Sequence, residues 1–555
     1  MNTLRQHFPI FQHMDENVHG YQWVYLDSSA TTQKPQNVIQ AVNQFYLSGN
    51  ANVHRASHDV ARKSTEAYEQ ARKRVAAFLR ASSHEEIVWT KGATEGMNLI
   101  ASSITSDMLN GGKRILISAT EHHANIVPWQ RLAERFGMSI DVIPVDEKGV
   151  WKLNDGLSLL GENTAIVALG HVSNALGNIN PISPFIDKAK EVGALTIIDG
   201  CQAVAHFPVD VTALDCDFYL FSGHKVFAPM GVGVLYGKAD VLNALQPYQV
   251  GGEMILDVEY THSSYRDAPY KFETGTPNVP AILGLAEAIQ FVQTHFDEIQ
   301  RVESELYEYL LESISAIKGL ELWGDNTRSV GVVSFTSSTI NNQDLGILLN
   351  EQNIALRVGH HCAMPLMKTL GISGTLRISL SCYNTKDDID RVIAAISRAL
   401  SHENDTMTMS VESGSSISTE SETTDTSSFP LAKKVSTASS WDEKYRQIML
   451  AGKQLERLGE DEKSSDNEVH GCESRVWVEV HTDPVVVIKA DSASKIIRGL
   501  LAVLLEPLQH QPKSMVMQFN PQDYLSSLGL EKHISESRGN GLKLVISAIK
   551  EKLEE

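Results

Sequence analysis

Cysteine is scarce in this chain: five residues among 555, namely Cys201, Cys216, Cys362, Cys382 and Cys472. They form no Cys-x-x-Cys, so neither a disulfide framework nor a zinc knuckle can be built from them; a reducing compartment and no metal site are expected. Basic charge is also in short supply. Lys and Arg total 48 against 68 Asp and Glu, a formal charge of −20. That balance repels a phosphate backbone and an anionic lipid surface alike, so neither nucleic acid nor membrane is expected as a partner. No apolar run approaches the roughly 20 residues of a membrane span. Met1 to Gly20 has no apolar stretch and no Arg-rich amphipathic pattern, and it includes Asp15 and Glu16. It reads as neither a secretory nor a transit signal, and the cytoplasm is the expected location.

What is present is globular. Hydrophobic residues make up 42% and charged residues 21%, and the length calls for about three folding units. One segment departs from this composition: of the 40 residues from Ser401 to Ser440, 19 are Ser or Thr, and Ser401 to Ser428 holds six acids and no Lys or Arg. Such a composition cannot bury enough apolar surface to fold alone and reads as a flexible linker, with an r.m.s. reach of about 35 Å. It divides the chain into 1–400, a linker at 401–440, and 441–555.

Upstream of the linker, β-rich runs (Arg114–Ala119, Ile140–Val145, Thr164–Leu169, Ala194–Ile198) alternate with helical patterns (Asn125–Phe136, Pro184–Val192). This is the βαβ signature of an α/β fold with a mostly parallel sheet. A long helical stretch, Ala281–Ile317, leads into a second mixed region. A large lobe over about 25–280 and a small α+β lobe over about 281–400, joined by the N-terminal segment, are therefore expected.

In parallel sheets ligands gather beyond the strand ends, so residues just after strands are the first candidates for a site. Ser222-Gly-His224-Lys225 follows the apolar run Phe218–Phe221. A lysine leaving a buried strand can lose its proton by desolvation and attack a carbonyl, the way pyridoxal phosphate is held; alone, the tetrapeptide reads equally well as a surface loop. Asp199 ends another strand-like run, where a carboxylate would keep a pyridinium nitrogen protonated, and Gln202 lies three residues on, placed to donate to a phenolic oxygen. Gly92-Ala-Thr94-Glu95-Gly96 opens a helix after Ile87–Trp89, so its amides and the Thr94 hydroxyl can receive a phosphate. His122 follows a strand and could cover a flat ring by stacking.

Together, Asp199-x-x-Gln202, Ser222-Gly-His224-Lys225, Thr94-Glu95 and Glu121-His122-His123-Ala-Asn125 resemble a pyridoxal-phosphate-dependent enzyme of the class V aminotransferase fold. More narrowly, residues 1–400 resemble a group II cysteine desulfurase of the SufS type. The motifs Tyr25-Leu-Asp27, Val53-His54-Arg55, His171-Val-Ser-Asn174, Glu273-x-Gly275-Thr276-Pro277-Asn278 and Arg357-Val-Gly359-His360-His361-Cys362-Ala-Met-Pro365, with Arg377, carry that likeness.

The resemblance implies that Lys225 binds the coenzyme and shuttles protons. Asp199 would pair with the ring nitrogen, Gln202 would contact the phenolate and His122 would stack on the ring. Thr94, Ser222 and His224 would hold the phosphate, with Thr276 reaching in from the other subunit of a homodimer. Arg377 and Asn174 would clamp the substrate carboxylate, with His54, Arg55, His123 and Arg357 as further pocket residues. Cys362 would take sulfur from L-cysteine, leaving L-alanine and a persulfide. A nearby imidazolium or guanidinium from His360, His361 or Arg357 would raise its thiolate fraction. Cys201, Cys216 and Cys382 read as buried apolar fillers.

After the linker, a helix is expected over Trp441–Gly459, and His470-Gly-Cys472 enters an alternating strand ending near Val480. With Asp491, the helical run Ser494–Leu505 and Arg538-Gly-Asn-Gly541, this part resembles a small α+β sulfur acceptor of the SufE type. The likeness implies that Cys472 carries sulfur, with Arg538 and Asp491 at its site, and that iron–sulfur scaffold proteins lie downstream. Two readings compete with a desulfurase: a selenocysteine lyase of the same fold, which shares the Lys225 chemistry without needing Cys362, and an inactive sulfur-carrier scaffold.

Overall fold

A computed structural model describes residues 3–14, 22–54, 57–408, 429–438, 441–471, 474–482, 484–530 and 536–554. The chain forms two compact units, one of 1–338 with 352–398 and a second of 339–351 with 399–555. Among the described residues no helix is long and apolar enough to cross a membrane.

The first unit is built on seven strands: β1 Ile87–Thr90, β2 Arg114–Ser118, β3 Ser139–Ile143, β4 Thr164–Gly170, β5 Leu195–Asp199, β6 Phe218–Ser222 and β7 Gly233–Gly237. Their order is β1-β7-β6-β5-β4-β2-β3. Contacts from β3 across to β6 are all parallel, while β7 runs antiparallel to both β6 and β1. β4 and β6 are buried along their whole length, which is why they read as continuous apolar runs rather than as alternating ones. Because six strands share one direction, their C-terminal ends lie along one edge. The segments that follow β1, β2, β4, β5 and β6 therefore converge there.

The expected helix over Asn125–Phe136 begins as a 3₁₀ turn at His123–Asn125 and becomes α-helical at Val127–Phe136. Helix Val279–Ser315 packs against helices Gln36–Gln44 and Asp59–Leu79. Beyond it a smaller sheet is formed by β8 Leu320–Trp323, β9 Val332–Ser337, β10 Arg357–Gly359 and β11 Thr375–Ser379, all antiparallel, in the order β8-β9-β11-β10. The N-terminal segment joins this lobe: Val24–Tyr25 pairs with Ile354–Ala355, and the Phe8 and Phe11 rings pack edge-on and tilted against Tyr383.

The second unit holds an antiparallel sheet of β12 Glu468–Val469, β13 Val476–His481 and β14 Val487–Ser492. Helix Lys495–Leu505 is almost wholly buried in it, capped by the Ser494 hydroxyl. The expected helix from Trp441 stops at Ala451, because Gly452 is a poor helix former. The ends of the expected linker are ordered. Helix Lys386–Thr408 runs into it from one side, and helix Pro430–Thr437 buries Ala432 and Val435 at the other, its first amides accepted by the Glu506 carboxylate. The boundary at 440 is corrected accordingly: Pro at the first helical turn and a small apolar stripe outweigh the Ser/Thr content there. Residues 409–428 lie outside the described residues.

Candidate active site

A cavity of about 300 Å³ opens at the C-terminal edge of the large sheet, lined by Thr94, His122, Asn174, Asp199, Gln202, Ser222, His224, Lys225, Arg357, Cys362 and Arg377 among others. Residues as far apart in sequence as Ser29 and Arg377 thus meet in one place.

The floor is set by strand ends. Lys225 closes a 3₁₀ turn directly after β6. Asp199 ends β5, and its carboxylate accepts from the Cys201 amide at 2.9 Å. The Gln202 side chain is buried, with one amide N–H on the Ser29 carbonyl at 2.8 Å. The Ser222 hydroxyl accepts from the Ala93 amide at 2.9 Å and so ties the end of β6 to the start of helix Ala93–Ser103. Thr94 stands in the first turn of that helix, where free N–H groups favour an anion. This junction needs glycine twice. A Cβ on Gly92 (φ 155°) would come within 3.1 Å of the Ser222 hydroxyl, and one on Gly233 would come within 2.5 Å of the Gly92 Cα.

Burial, and secondarily the Lys225 charge, lower the His122 imidazole to about 4, so its ring is neutral at physiological pH. Its Nδ1 accepts from the Ala124 amide at 3.0 Å, which fixes the ring where a flat ligand could stack. His224 is likewise lowered to about 4 by burial, followed by Lys225 and Lys34. Glu121 lies fully buried beneath, raised to about 7 by desolvation against hydrogen bonds from Ser118, Asn125 and the Gly170 amide.

The other wall is cationic. Arg377 is buried, its guanidinium donating to the Asn174 carbonyl at 2.6 Å and to Asp27 at 3.2 Å. Burial lowers it to about 10, which leaves it charged at neutral pH. Asp27 also takes a forked pair from Arg357, at 3.1 and 2.8 Å. The Tyr25-Leu-Asp27 motif carries no sign of this role in the sequence, because no local pattern signals a carboxylate that bridges two arginines more than 300 positions away.

Cys362 is exposed, in a left-handed turn with His361 (φ 55° and 53°). Its amide donates to His360 Nδ1 at 3.1 Å and its carbonyl accepts from the His123 amide at 2.8 Å. His361 is buried, bonds Thr375 through Nε2 at 2.9 Å, and is held well below the usual histidine range by burial. It therefore supplies no positive charge to Cys362, and the guanidinium groups of Arg357 and Arg377 are the cations that act on it in the cavity.

Two expectations about placement are corrected. His123 does not line the cavity: its Nε2 accepts from the Met364 amide at 3.1 Å and its ring lies 5.7 Å from that of His360, so it braces the Cys362 turn. His54 sits in a separate recess with Tyr68, Tyr270 and Glu273, drawn there by its own contacts with Glu69 and the two tyrosine rings. Thr276 is exposed and away from the cavity of its own chain. Cys201, Cys216 and Cys382 are buried. Arg55 and Cys472 lie outside the described residues, as does the Arg538 side chain. In the second unit Asp491 is buried and held below the usual carboxylate range by Arg457 and Lys463 against the cost of burial.

Buried polar atoms are nearly always hydrogen-bonded, yet among the described residues His224 Nδ1, His361 Nδ1 and Arg377 Nε have no partner, and all three residues line this one cavity. A cradle of lysine, carboxylate, neutral flat imidazole and helix-start amides, with unmet polar atoms on its walls, fits pyridoxal phosphate with a bound amino acid.

Comparison with known proteins agrees. Residues 24–392 match the family "Aminotransferase class-V", and residues 430–553 match the SufE family, "Fe-S metabolism associated domain". The chain is 44% identical over 406 residues to a probable cysteine desulfurase of Vibrio cholerae, covering 72% of this chain and 98% of that one. It is 44% identical over 399 residues to a cysteine desulfurase of Synechococcus elongatus, covering 72% of this chain and 63% of that longer relative. The structure of the cysteine desulfurase CsdA (S-sulfonic acid) from Escherichia coli superposes with a TM-score of 0.66 at 36% identity, over 72% of this chain and 98% of that one. The chain thus belongs to the pyridoxal-phosphate-dependent cysteine desulfurases of aminotransferase class V, and carries a C-terminal SufE domain.

Proposed function

We propose that this protein takes sulfur from L-cysteine onto Cys362, releases L-alanine, and passes the sulfur to Cys472 of its own acceptor domain for iron–sulfur cluster assembly. The observation that carries this reading is the placement of Cys362 at the cavity that also holds Lys225 and the buried Arg377. When bound, pyridoxal phosphate supplies an electron sink that makes the substrate's sulfur open to nucleophilic attack. The chain's residues do the rest. Arg377, oriented by Asp27 and Asn174, holds the substrate carboxylate, for which a guanidinium fork is better shaped than an ammonium. Lys225 Nζ moves the α-proton, and neutral His122 stacks without competing for positive charge. The Cys362 thiolate attacks the substrate sulfur, forming an S–S bond as the C–S bond breaks, and the carbon left behind is protonated to give alanine.

Relay to Cys472 is thiol exchange: its thiolate attacks the terminal sulfur and Cys362 leaves as thiolate, with no external oxidant or reductant. In this reading residues 1–400 are the catalytic domain, the Ser/Thr-rich stretch within 401–440 is a tether, and the remainder to 555 is the acceptor. A tether raises the acceptor thiol to about millimolar effective concentration, so a weak encounter suffices. Thr276 would complete the site of a second subunit in a homodimer, and scaffold proteins would receive the sulfur. Peptide mass analysis after adding L-cysteine tests the order of transfer. Each of Cys362 and Cys472 gains one sulfur; Cys362→Ala abolishes both gains and Cys472→Ala preserves the first. Sulfur on Cys472 in the Cys362→Ala protein would overturn the relay, and selenocysteine turnover surviving there while cysteine turnover is lost is expected of this chemistry.

A further inference from the structure

The peptide carbonyl of His224, whose partner nitrogen belongs to Lys225 itself, is the target of four donors. These are the Thr32 amide at 3.0 Å, the Thr31 and Thr32 hydroxyls at 3.1 Å each, and Lys34 Nζ at 3.1 Å. A carbonyl has two lone pairs, and most buried ones have one or two partners. On the far side of Lys225 the Phe227 amide donates to the same Thr32 hydroxyl at 2.8 Å. That contact matters because Phe227 sits at φ 64°, a left-handed conformation that costs a side-chain-bearing residue of order 1 kcal/mol or more. The segment Thr31–Lys34 therefore grips the turn on both sides of the lysine.

We propose that Lys34 is a positioning residue for Lys225: with Thr31 and Thr32 it locks the His224–Phe227 turn, so that the lysine's amine is presented to the coenzyme in one orientation before any ligand arrives. Lys34 is an unusual choice for a merely structural contact. Among the described residues it has no carboxylate partner; its donors reach the Thr31 hydroxyl and the carbonyls of Thr32 and His224. Burial lowers it to about 7. Burying a lysine amine there costs free energy that a surface lysine does not incur, and one of its three contacts is the carbonyl adjoining Lys225.

The inference rests on the reading of Lys225 as the coenzyme lysine, but its test does not need turnover. Amide hydrogen exchange of the full-length, coenzyme-free protein is followed by mass spectrometry in the peptide covering Ser222–Met230. With Lys34→Met, exchange in that peptide rises by roughly tenfold while helix Val279–Ser315 is unchanged. Affinity for pyridoxal phosphate, read by absorbance titration, falls by roughly tenfold, the equivalent of about 1.4 kcal/mol. Lys34→Arg, which keeps the donors, restores both to within about threefold. Exchange and affinity in Lys34→Met both within about twofold of the parent would overturn the proposal. Should Lys34→Met fail to fold, Thr32→Val, which removes the hydroxyl shared by His224 and Phe227, is judged by the same two readouts. Faster exchange in Lys34→Met, when the parent protein itself binds no coenzyme, would leave the clamp standing and sink the functional reading.

Discussion

Arg377 is the side chain proposed to hold the substrate carboxylate, and its neighbours fix its aim. Its guanidinium is buried and its counter-charge is Asp27, shared with Arg357. Removing one member of a buried pair leaves the other uncompensated, typically at a cost of about 3 kcal/mol. Asp27→Asn is therefore expected to lower the denaturation midpoint by that order. It should also raise KM for cysteine by roughly tenfold, about 1.4 kcal/mol of binding, because Arg377 loses its fixed aim. Unchanged KM with lowered stability would restrict Asp27 to a structural part. His171 gives a second test at this scale. Burial lowers it from 6.5 to about 4, and its Nδ1 meets the Tyr219 hydroxyl at 2.9 Å. Between those two values the unfolded chain binds a proton that the folded chain does not. The stability this group confers is complete above about pH 6.5 and is lost as pH falls toward 4. Replacing His171 by Asn should flatten the stability–pH slope in that window by up to about 1.4 kcal/mol per pH unit, measured from denaturant midpoints.

At the scale of elements, the junction of β1, β6, β7 and helix Ala93–Ser103 is where the proposed reading would place the coenzyme's phosphate. Gly233 lies so close to Gly92 that an added methyl group must displace one backbone. Gly233→Ala is expected to cost about 1–3 kcal/mol of stability and to weaken pyridoxal phosphate binding measured by absorbance; normal affinity would show that the helix start does not hold the phosphate. The alternation of strands and helices was readable because each strand is a short apolar run bounded by turn residues. Some boundaries were not. The Ser/Thr-rich stretch around 430–437 reads as linker by composition, yet Glu506 caps a helix there and Ala432 and Val435 enter a core. Capping by a residue 75 positions away leaves no local trace.

At the scale of the whole molecule, the exposure of Thr276 becomes a prediction about assembly. If it serves a neighbouring subunit, mixing Lys225→Ala and Thr276→Val proteins and allowing exchange should recover about a quarter of the sites, since half the dimers are mixed and each has one intact site. No recovery despite demonstrated mixed dimers would confine Thr276 to its own chain.

The sequence by itself determined the α/β class, the two-part organisation and the residues able to do chemistry, because strand periodicity and the residue types that follow strands are local properties of the chain. Only the tertiary structure decided which of those residues share a cavity. It moved His123 behind the Cys362 turn and His54 into another recess, joined Asp27 to two distant arginines, set Lys34 against the peptide of Lys225, and grouped 339–351 with the C-terminal unit. Each of these depends on contacts between positions far apart in the chain, where burial and hydrogen-bond satisfaction, rather than any pattern along the sequence, choose the partner.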